Sequence, residues 1–484
     1  MKNSLKRKMV IVPLCLLFAA SFLTGCSSPE QDSSKATDQT SQEKGTEEST
    51  EEPPQTRKYF ASQLTSLKKQ YEKDQEDQTA ALNYAQTLFS LGDTAKAKEV
   101  VTPLVNESNP APEALFLAAE ANYLTGDYEA AEDHYTKLLK EHKEDYGMQA
   151  EAGLQMVYYQ TNQYSKAKDL FADQEEIENP ILDMMKAFGN DQPNKVNWNG
   201  AEKTTIPFLD DDRSVFIPIE VNGVKMNAFV DTGATGLTID QNRADELGIK
   251  SVSESEGEFA GGQTNTIGFG KTDSLKLGDV EIDNVPTMIS PFDAWDEIDS
   301  FKKIGNIDAV IGTNVLQQFV PTIDFISKEL VLIPRNEAAQ SNSDAVKVPF
   351  TMAGTHYIFG KGTVNGNHGL NLFADSGFIS ESNEAGVNLT KETMELAKIP
   401  MPELKDADVA GLGGGKFKEG IFNVDSYGYD GLTKKDAQGL YETGDVMDMY
   451  QVTGFVTDGM IGHNYLKDYR WTLDFDAMEM SFEQ

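Results

Sequence analysis

The segment Ile307–Leu316 recurs 150 positions later as Thr457–Leu466. Aligned, Asp308-Ala309-Val310-Ile311-Gly312-Thr313-Asn314 faces Asp458-Gly459-Met460-Ile461-Gly462-His463-Asn464. Thr322-Ile323-Asp324-Phe325 and Thr472-Leu473-Asp474-Phe475 keep the same offset, as do Ala260-Gly261 and Ala410-Gly411. The C-terminal part therefore reads as two copies of one lobe, residues 204–340 and 345–484. Short apolar alternations in both copies are broken by Gly, Asn and Asp, the pattern of strands and hairpins. Each lobe is expected to be mostly β, a small closed barrel-like sheet, with a cleft between the two.

Each copy also carries a carboxylate in an unusual place. Asp231-Thr232-Gly233-Ala234 follows the apolar run Met226–Val230, and Asp375-Ser376-Gly377-Phe378 follows Leu370–Ala374. A turn signal precedes each run, Asn222-Gly223 and Asn365-Gly366. A carboxylate at the end of a buried strand is costly unless it is used. Two of them suggest a pair that shares one proton and activates a water. The two motifs are 144 residues apart, so the copies differ slightly in length between motif and repeat.

At this point the chain resembles the aspartic peptidases of the retropepsin and pepsin type, over about 280 residues. The resemblance implies that Asp231 and Asp375 are the catalytic aspartates. Thr232 and Ser376 would interlock the two active-site loops. Gly233 and Gly377 would let each loop turn beneath its partner, with Ala234 as further loop support. Val310-Ile311-Gly312 and Met460-Ile461-Gly462 would thread behind the loops. The Gly-rich runs 257–270 and 410–420 would form flaps over the substrate. Both lobes lie in one chain, so the dyad needs no dimerisation and a monomer is expected. Phe378 departs from the resemblance, because a small or hydroxyl residue is usual there. A ring beside the dyad would crowd the water or fill a substrate pocket.

Residues 58–190 have a different character. Leu91-Gly92-Asp93-Thr94-Ala95-Lys96-Ala97, Thr125-Gly126-Asp127-Tyr128-Glu129-Ala130-Ala131 and Thr161-Asn162-Gln163-Tyr164-Ser165-Lys166-Ala167 align at offsets of 34 and 36 residues. Each is a polar turn between helix-length patterns, and the series resembles tetratricopeptide repeats. Ala97, Ala131 and Ala167 fit close helix approaches, as do Ala85 and Ala119, whereas Gln155 breaks the pattern in the third unit. Such an array serves either as a site for a protein partner or as a spacer. The fold class is thus multidomain: an α-helical, tetratricopeptide-like solenoid, then a mostly-β bilobal domain like that of the acid proteases.

The N-terminus reads as a targeting segment. Lys2, Lys6, Arg7 and Lys8 precede the apolar stretch Met9–Phe22, which is short for a membrane span. It ends Leu23-Thr24-Gly25-Cys26, which looks like a bacterial lipobox. The resemblance implies a signal peptide over 1–25, a diacylglyceryl thioether on Cys26 and anchoring at the extracytoplasmic face of the cell membrane. Residues 26–57 are polar and acidic and suit a solvated, disordered tether. The other cysteine, Cys15, lies in the leader, so the mature chain can form no internal disulfide.

Composition excludes other classes. With 42 Lys+Arg against 78 Asp+Glu, the net charge of −36 argues against a nucleic-acid partner. Five histidines, His134, His142, His356, His368 and His463, show no metal-ligand spacing. His134 reads as a surface residue, and His463, beside Gly462, as structural. Asp324 and Asp474 read as structural strand residues. Gly413-Gly414-Gly415 lacks the rest of a phosphate loop. No metal or cofactor is called for. The expectation is a lipid-anchored aspartic endopeptidase acting on a peptide or protein substrate through Asp231 and Asp375. The alternative is a catalytically inactive lipoprotein that binds peptides or assembles with partners through the repeats and the inherited cleft.

Overall fold

The computed structural model describes residues 55–172, 179–209, 214–258, 264–292, 304–337, 344–379, 384–408, 416–443 and 448–484. The leader, Cys26, most of the tether and the tips of both expected flaps (259–263 and 409–415) lie outside the described residues. No helix among the described residues is long and apolar enough to cross a membrane.

Among the described residues eight helices come first: α1 Arg57–Lys73, α2 Gln78–Ser90, α3 Thr94–Val105, α4 Pro112–Leu124, α5 Tyr128–Glu141, α6 Lys143–Gln160, α7 Tyr164–Leu170 and α8 Pro180–Ala187. The three aligned segments of the sequence are the turns α2/α3, α4/α5 and α6/α7. Each turn puts one residue at positive φ: Gly92 at +75°, Gly126 at +77° and Asn162 at +56°. Each closes with the same backbone bond, Asp93 N to Leu88 O, Asp127 N to Asn122 O and Gln163 N to Tyr158 O, at 2.8–2.9 Å. Ala85, Ala97, Ala119, Ala131 and Ala167 are fully buried where the helices meet. Gln155 is buried too. It exchanges hydrogen bonds with Asn179, which also caps α8. The break in the alanine pattern marks where the array ends against a short capping helix. His134, expected at the surface, is half-buried on α5.

Twenty-one strands follow among the described residues. Lobe 1 contains β1 Lys195–Asn197, β3 Phe216–Val221, β4 Val224–Val230, β5 Leu237–Asp240, β6 Ser251–Glu258, β7 Thr264–Leu277, β8 Val280–Ser290 and β9 Ala309–Ile311. The order β8-β5-β9-β4-β3-β7 closes on itself because β7 also pairs with β8. Lobe 2 contains β13 Tyr357–Val364, β14 Asn367–Ala374, β15 Ala385–Leu389, β16 Lys405–Asp408, β17 Lys416–Tyr429, β18 Leu432–Glu442 and β19 Gly459–Ile461. Its ring, β18-β15-β19-β14-β13-β17, closes in the same way. Lobe 1 begins before residue 204, since β1 pairs with β8. Three residues are too few for an alternation to show in sequence.

Six strands join the lobes: β2 Thr204–Pro207, β10 Phe319–Asp324, β11 Glu329–Pro334, β12 Val346–Ala353, β20 Arg470–Asp474 and β21 Glu479–Glu483, in the order β12-β21-β20-β10-β11-β2. The central pair, β10 and β20, is antiparallel with Thr322 opposite Thr472. These two residues are 150 apart, and their hydroxyls lie 2.7 Å from each other. The local two-fold axis therefore passes between them. Asp324 and Asp474 occupy matching positions and accept backbone N–H groups of the turns that follow.

Candidate active site

The sequence carries each Asp to the same place by the same route. Asn222-Gly223 and Asn365-Gly366 adopt positive φ, +48°/+80° and +46°/+75°. That geometry suits tight two-residue hairpins. The returning strands β4 and β14 lie within the walls of their barrels, and Ala228–Val230 and Leu372–Ala374 at their ends are buried. Each lies parallel to the threading segment of its own copy, with Val230 beside Ile311 and Ala374 beside Ile461. The Asp231 N–H donates to Ile311 O at 3.0 Å and that of Asp375 to Ile461 O at 2.9 Å.

The chain then turns sharply in both copies. Asp231 Oδ1 accepts from Gly233 N–H, and Asp375 Oδ1 accepts from Gly377 N–H, each at 2.8 Å. Phe378 N–H adds a bond to Asp375 Oδ1 at 3.1 Å. The two loops face each other. A Cβ on Gly233 would lie 2.6 Å from Asp375 Oδ1, and one on Gly377 would lie 2.3 Å from Asp231 Oδ1. Only glycine permits that approach.

Thr232 and Ser376 lock the loops from behind. Each is fully buried, and each donates its hydroxyl to a carbonyl of the opposite lobe, Thr232 to Ala374 O at 2.9 Å and Ser376 to Val230 O at 3.3 Å. Each hydroxyl also accepts from the other residue's N–H. Both hydroxyls and both N–H groups of the lock are satisfied, as a buried polar cluster requires.

The two carboxyl groups lie close enough to act on each other directly. Burial disfavours the charged form of both, and the negative charge of Asp231 adds to the effect on Asp375, whose carboxyl lies well above the usual range. Asp231 is raised as well, with backbone N–H groups opposing the burial. Two carboxylates this close hold one proton between them, and the pair titrates as a unit.

Phe378 does not enter the dyad. Its ring lies over Gly462, where an added Cβ would meet Phe378 Cδ1 at 2.2 Å, and it packs toward the helical domain. In lobe 1, the atoms nearest to a Cβ on Gly312 would be backbone atoms of Ala234 and Thr235. The next position differs as well. Thr313 donates its hydroxyl to Thr232 O at 2.9 Å. Its counterpart His463 is buried against Phe325, and its ring nitrogens have no hydrogen-bond partner among the described residues. Burial pushes the imidazole down to about 4.

Apolar walls flank the dyad. On the lobe 1 side Phe216, Phe229 and Val310 pack together. The matching residues of lobe 2, Phe359, Phe373 and Met460, instead join the core of the helical domain. The flap hairpin β6/β7 is described up to its tip, and its base rests on α8 through Ser253 Oγ to Pro180 O at 2.7 Å. In lobe 2 the corresponding hairpin is β16/β17.

Sequence reasoning did not single out Tyr123, Gln160 or Asn314, and it set His356 aside. His356 is buried and stands against the Asp231 loop, with Nδ1 3.4 Å from Thr235 Oγ1 and 3.0 Å from Thr355 Oγ1. Burial pushes its imidazole down to about 3. Only Asn314 left a signal, its repetition as Asn464.

Residues 217–315 match the sequence model of the aspartyl protease family. The similarity to that family thus falls within lobe 1, and lobe 2 repeats the topology of lobe 1 around Asp375. Among solved structures, the crystal structure of a retropepsin-like aspartic protease from Rickettsia conorii matches at 20% identity, over 29% of this chain and 93% of that one, with a TM-score of 0.21. A likeness of that size carries no functional argument. No curated protein matches the chain.

Proposed function

We propose that this protein is an aspartic endopeptidase whose dyad is Asp231 and Asp375. The observation that carries the reading is the reciprocal lock, in which Thr232 and Ser376 hold two matching carboxylate loops face to face. A structural Asp turn needs neither a partner loop nor a glycine beneath the opposite carboxyl. The pair shares one proton. Its ionised half takes a proton from a water held between the carboxyls, and that water attacks the scissile carbonyl. The protonated half hydrogen-bonds the carbonyl oxygen and stabilises the developing charge. The proton taken up passes to the leaving nitrogen as the tetrahedral adduct collapses.

The same reading places the enzyme outside the cytoplasmic membrane, tethered through lipidated Cys26, with the helical repeats as a site for a protein partner. The lipobox-like Leu23-Thr24-Gly25-Cys26 and the polar tether support that placement. Incubating the purified protein with a diverse peptide library from acidic to neutral pH tests the activity. Cleavage that is lost in Asp231→Asn and Asp375→Asn is expected. Peptide capture without turnover in the wild type would mean a binding protein instead. Palmitate labelling in cells, abolished by Cys26→Ala, tests the anchor.

A further inference from the structure

The helical domain reaches the Asp231 loop at one short turn of lobe 2. The residues between β12 and β13, Gly354, Thr355 and His356, lie at the meeting point of all three parts of the molecule. From the helical side, Tyr123 Oη donates to Gly354 O at 2.6 Å. Gln160, the last residue of α6, donates through Nε2 to Thr355 O at 3.1 Å. From lobe 1, Asn314 Nδ2 donates to the same Thr355 oxygen at 2.7 Å and to Gln160 Oε1 at 3.0 Å. Gln160 is thus bonded to lobe 2 and to lobe 1 at once.

Both ends of this junction lead to Asp231. Asn314 N–H donates to Thr235 O at 2.6 Å, in the loop that follows Asp231-Thr232-Gly233. His356 sits against Thr235 Oγ1, in the same loop. Gln160, Asn314 and His356 are each less than one-tenth exposed. In such a setting a missing partner leaves buried polar groups unsatisfied, and the geometry around them shifts. A spacer would need no such contact. Its linker could attach anywhere on the surface.

We infer that the helical domain is a working part of the active site, in which Gln160, assisted by Tyr123, is a positioning residue for the Asp231 loop through Thr355, His356 and Asn314. The inference rests on the dyad reading above. It also makes the helical repeats a place where a bound partner would act directly on the catalytic geometry.

The test compares Gln160→Met with Gln155→Met in the full-length protein. Both side chains are buried on α6, but among the described residues Gln155 bonds to Asn179, within the helical domain. Three quantities are read: thermal midpoint, kcat and KM on a cleaved library peptide, and the titration of the Asp231 and Asp375 carboxyl carbons by 13C NMR. Both variants are expected to lower the midpoint. Only Gln160→Met is expected to lower kcat, by about 10- to 100-fold, with KM changed less than about twofold, and to shift the dyad titration. Tyr123→Phe, which removes one hydroxyl, is expected to act in the same direction more weakly, and it decides the matter if Gln160→Met does not fold. If the variants at 160 and 123 leave kcat and titration as in wild type, or if Gln155→Met alters them equally, the inference is overturned. A wild type without turnover would refute the peptidase reading alone, and the carboxyl titration would then decide this one.

Discussion

Thr232 and Ser376 each accept a hydrogen bond from the other's backbone N–H, at 3.0 Å and 2.9 Å, across the boundary between two lobes of one chain. The exchange makes the dyad a property of the lobe interface rather than of either lobe. Ser376→Ala removes the acceptor for Thr232 N–H and leaves that donor buried. A loss of about 1–3 kcal/mol in unfolding free energy is expected, with a larger fractional loss of kcat than of stability, because the loops are freed relative to each other. Urea denaturation and steady-state kinetics on the same preparation check this. A variant with full kcat would contradict the role of the lock.

Asp231→Asn and Asp375→Asn are each expected to lower kcat/KM by at least about 10²–10⁴-fold, the range for removal of a general acid or base. The circular dichroism spectrum should be unchanged. Activity in the wild type should follow a bell in pH, because the dyad works with one proton. Its alkaline limb is expected well above the ordinary carboxyl value of 3.8, since Asp375 is held there by burial and by Asp231. An alkaline limb near 3.8 would speak against the shared proton.

Stability should respond to pH through two opposing groups. The native dyad holds its proton above 3.8, so its contribution is present in acid and is lost as the pH rises through the raised native value. His356 has its native value lowered from 6.5 to about 3, so its contribution is present above 6.5 and is lost as the pH falls toward 3. On acidification from pH 7 to pH 3, the urea midpoint of His356→Gln is expected to fall less than that of wild type. That of Asp375→Asn is expected to fall more. Identical pH profiles for all three proteins would remove both assignments.

Gly377→Ala places a methyl group 2.3 Å from Asp231 Oδ1, so the loops must part. Overpacking of this kind costs about 1–3 kcal/mol, and turnover is expected to be undetectable. Gly223→Ala, in the hairpin turn before β4, meets nothing within 4 Å. It is strained only by its positive φ, and it should keep activity. Peptide cleavage by the two variants separates a steric effect on the dyad from a general loss of folding.

Arg57, at the start of α1, forms a two-point ion pair with Asp458 of lobe 2, at 2.6 and 2.5 Å. Asp458 is almost fully buried and also accepts from Asn371 N–H and the Thr393 hydroxyl. Its lobe 1 counterpart Asp308 pairs with Arg243 of its own lobe. Arg57→Ala leaves a buried carboxylate without its cation. A loss of about 3–5 kcal/mol is expected, with partial recovery in the double variant with Asp458→Asn. Calorimetry on the two variants measures it, and an unchanged midpoint in Arg57→Ala would show the pair to be idle.

The duplication, the two Asp-hydroxyl-Gly motifs, the hairpin turns and the helical turns at 92, 126 and 162 were legible in the chain. Each is a local pattern, in which residue type follows from backbone conformation or from burial on one strand or helix. Gln155 looked like a flaw because its partner Asn179 comes from the next helical unit. Phe378 looked like a threat to the dyad, and its ring turned out to rest on Gly462. The closed barrels depend on pairings about 50 to 90 residues apart, and the six-stranded joining sheet on pairings more than a hundred apart, which only the duplication hinted at.

By itself, the sequence determined that two like lobes exist, that each presents one carboxylate on a glycine turn, and that helices precede them. Only the tertiary structure decided that the carboxylates meet, that Thr232 and Ser376 satisfy each other, and that Gln160 and Arg57 of the helical domain are bonded into the lobes. The reason is physical. Periodicity and turn chemistry are written in neighbouring residues, whereas a buried hydrogen bond between positions 160 and 355 leaves no mark on the residues beside either one.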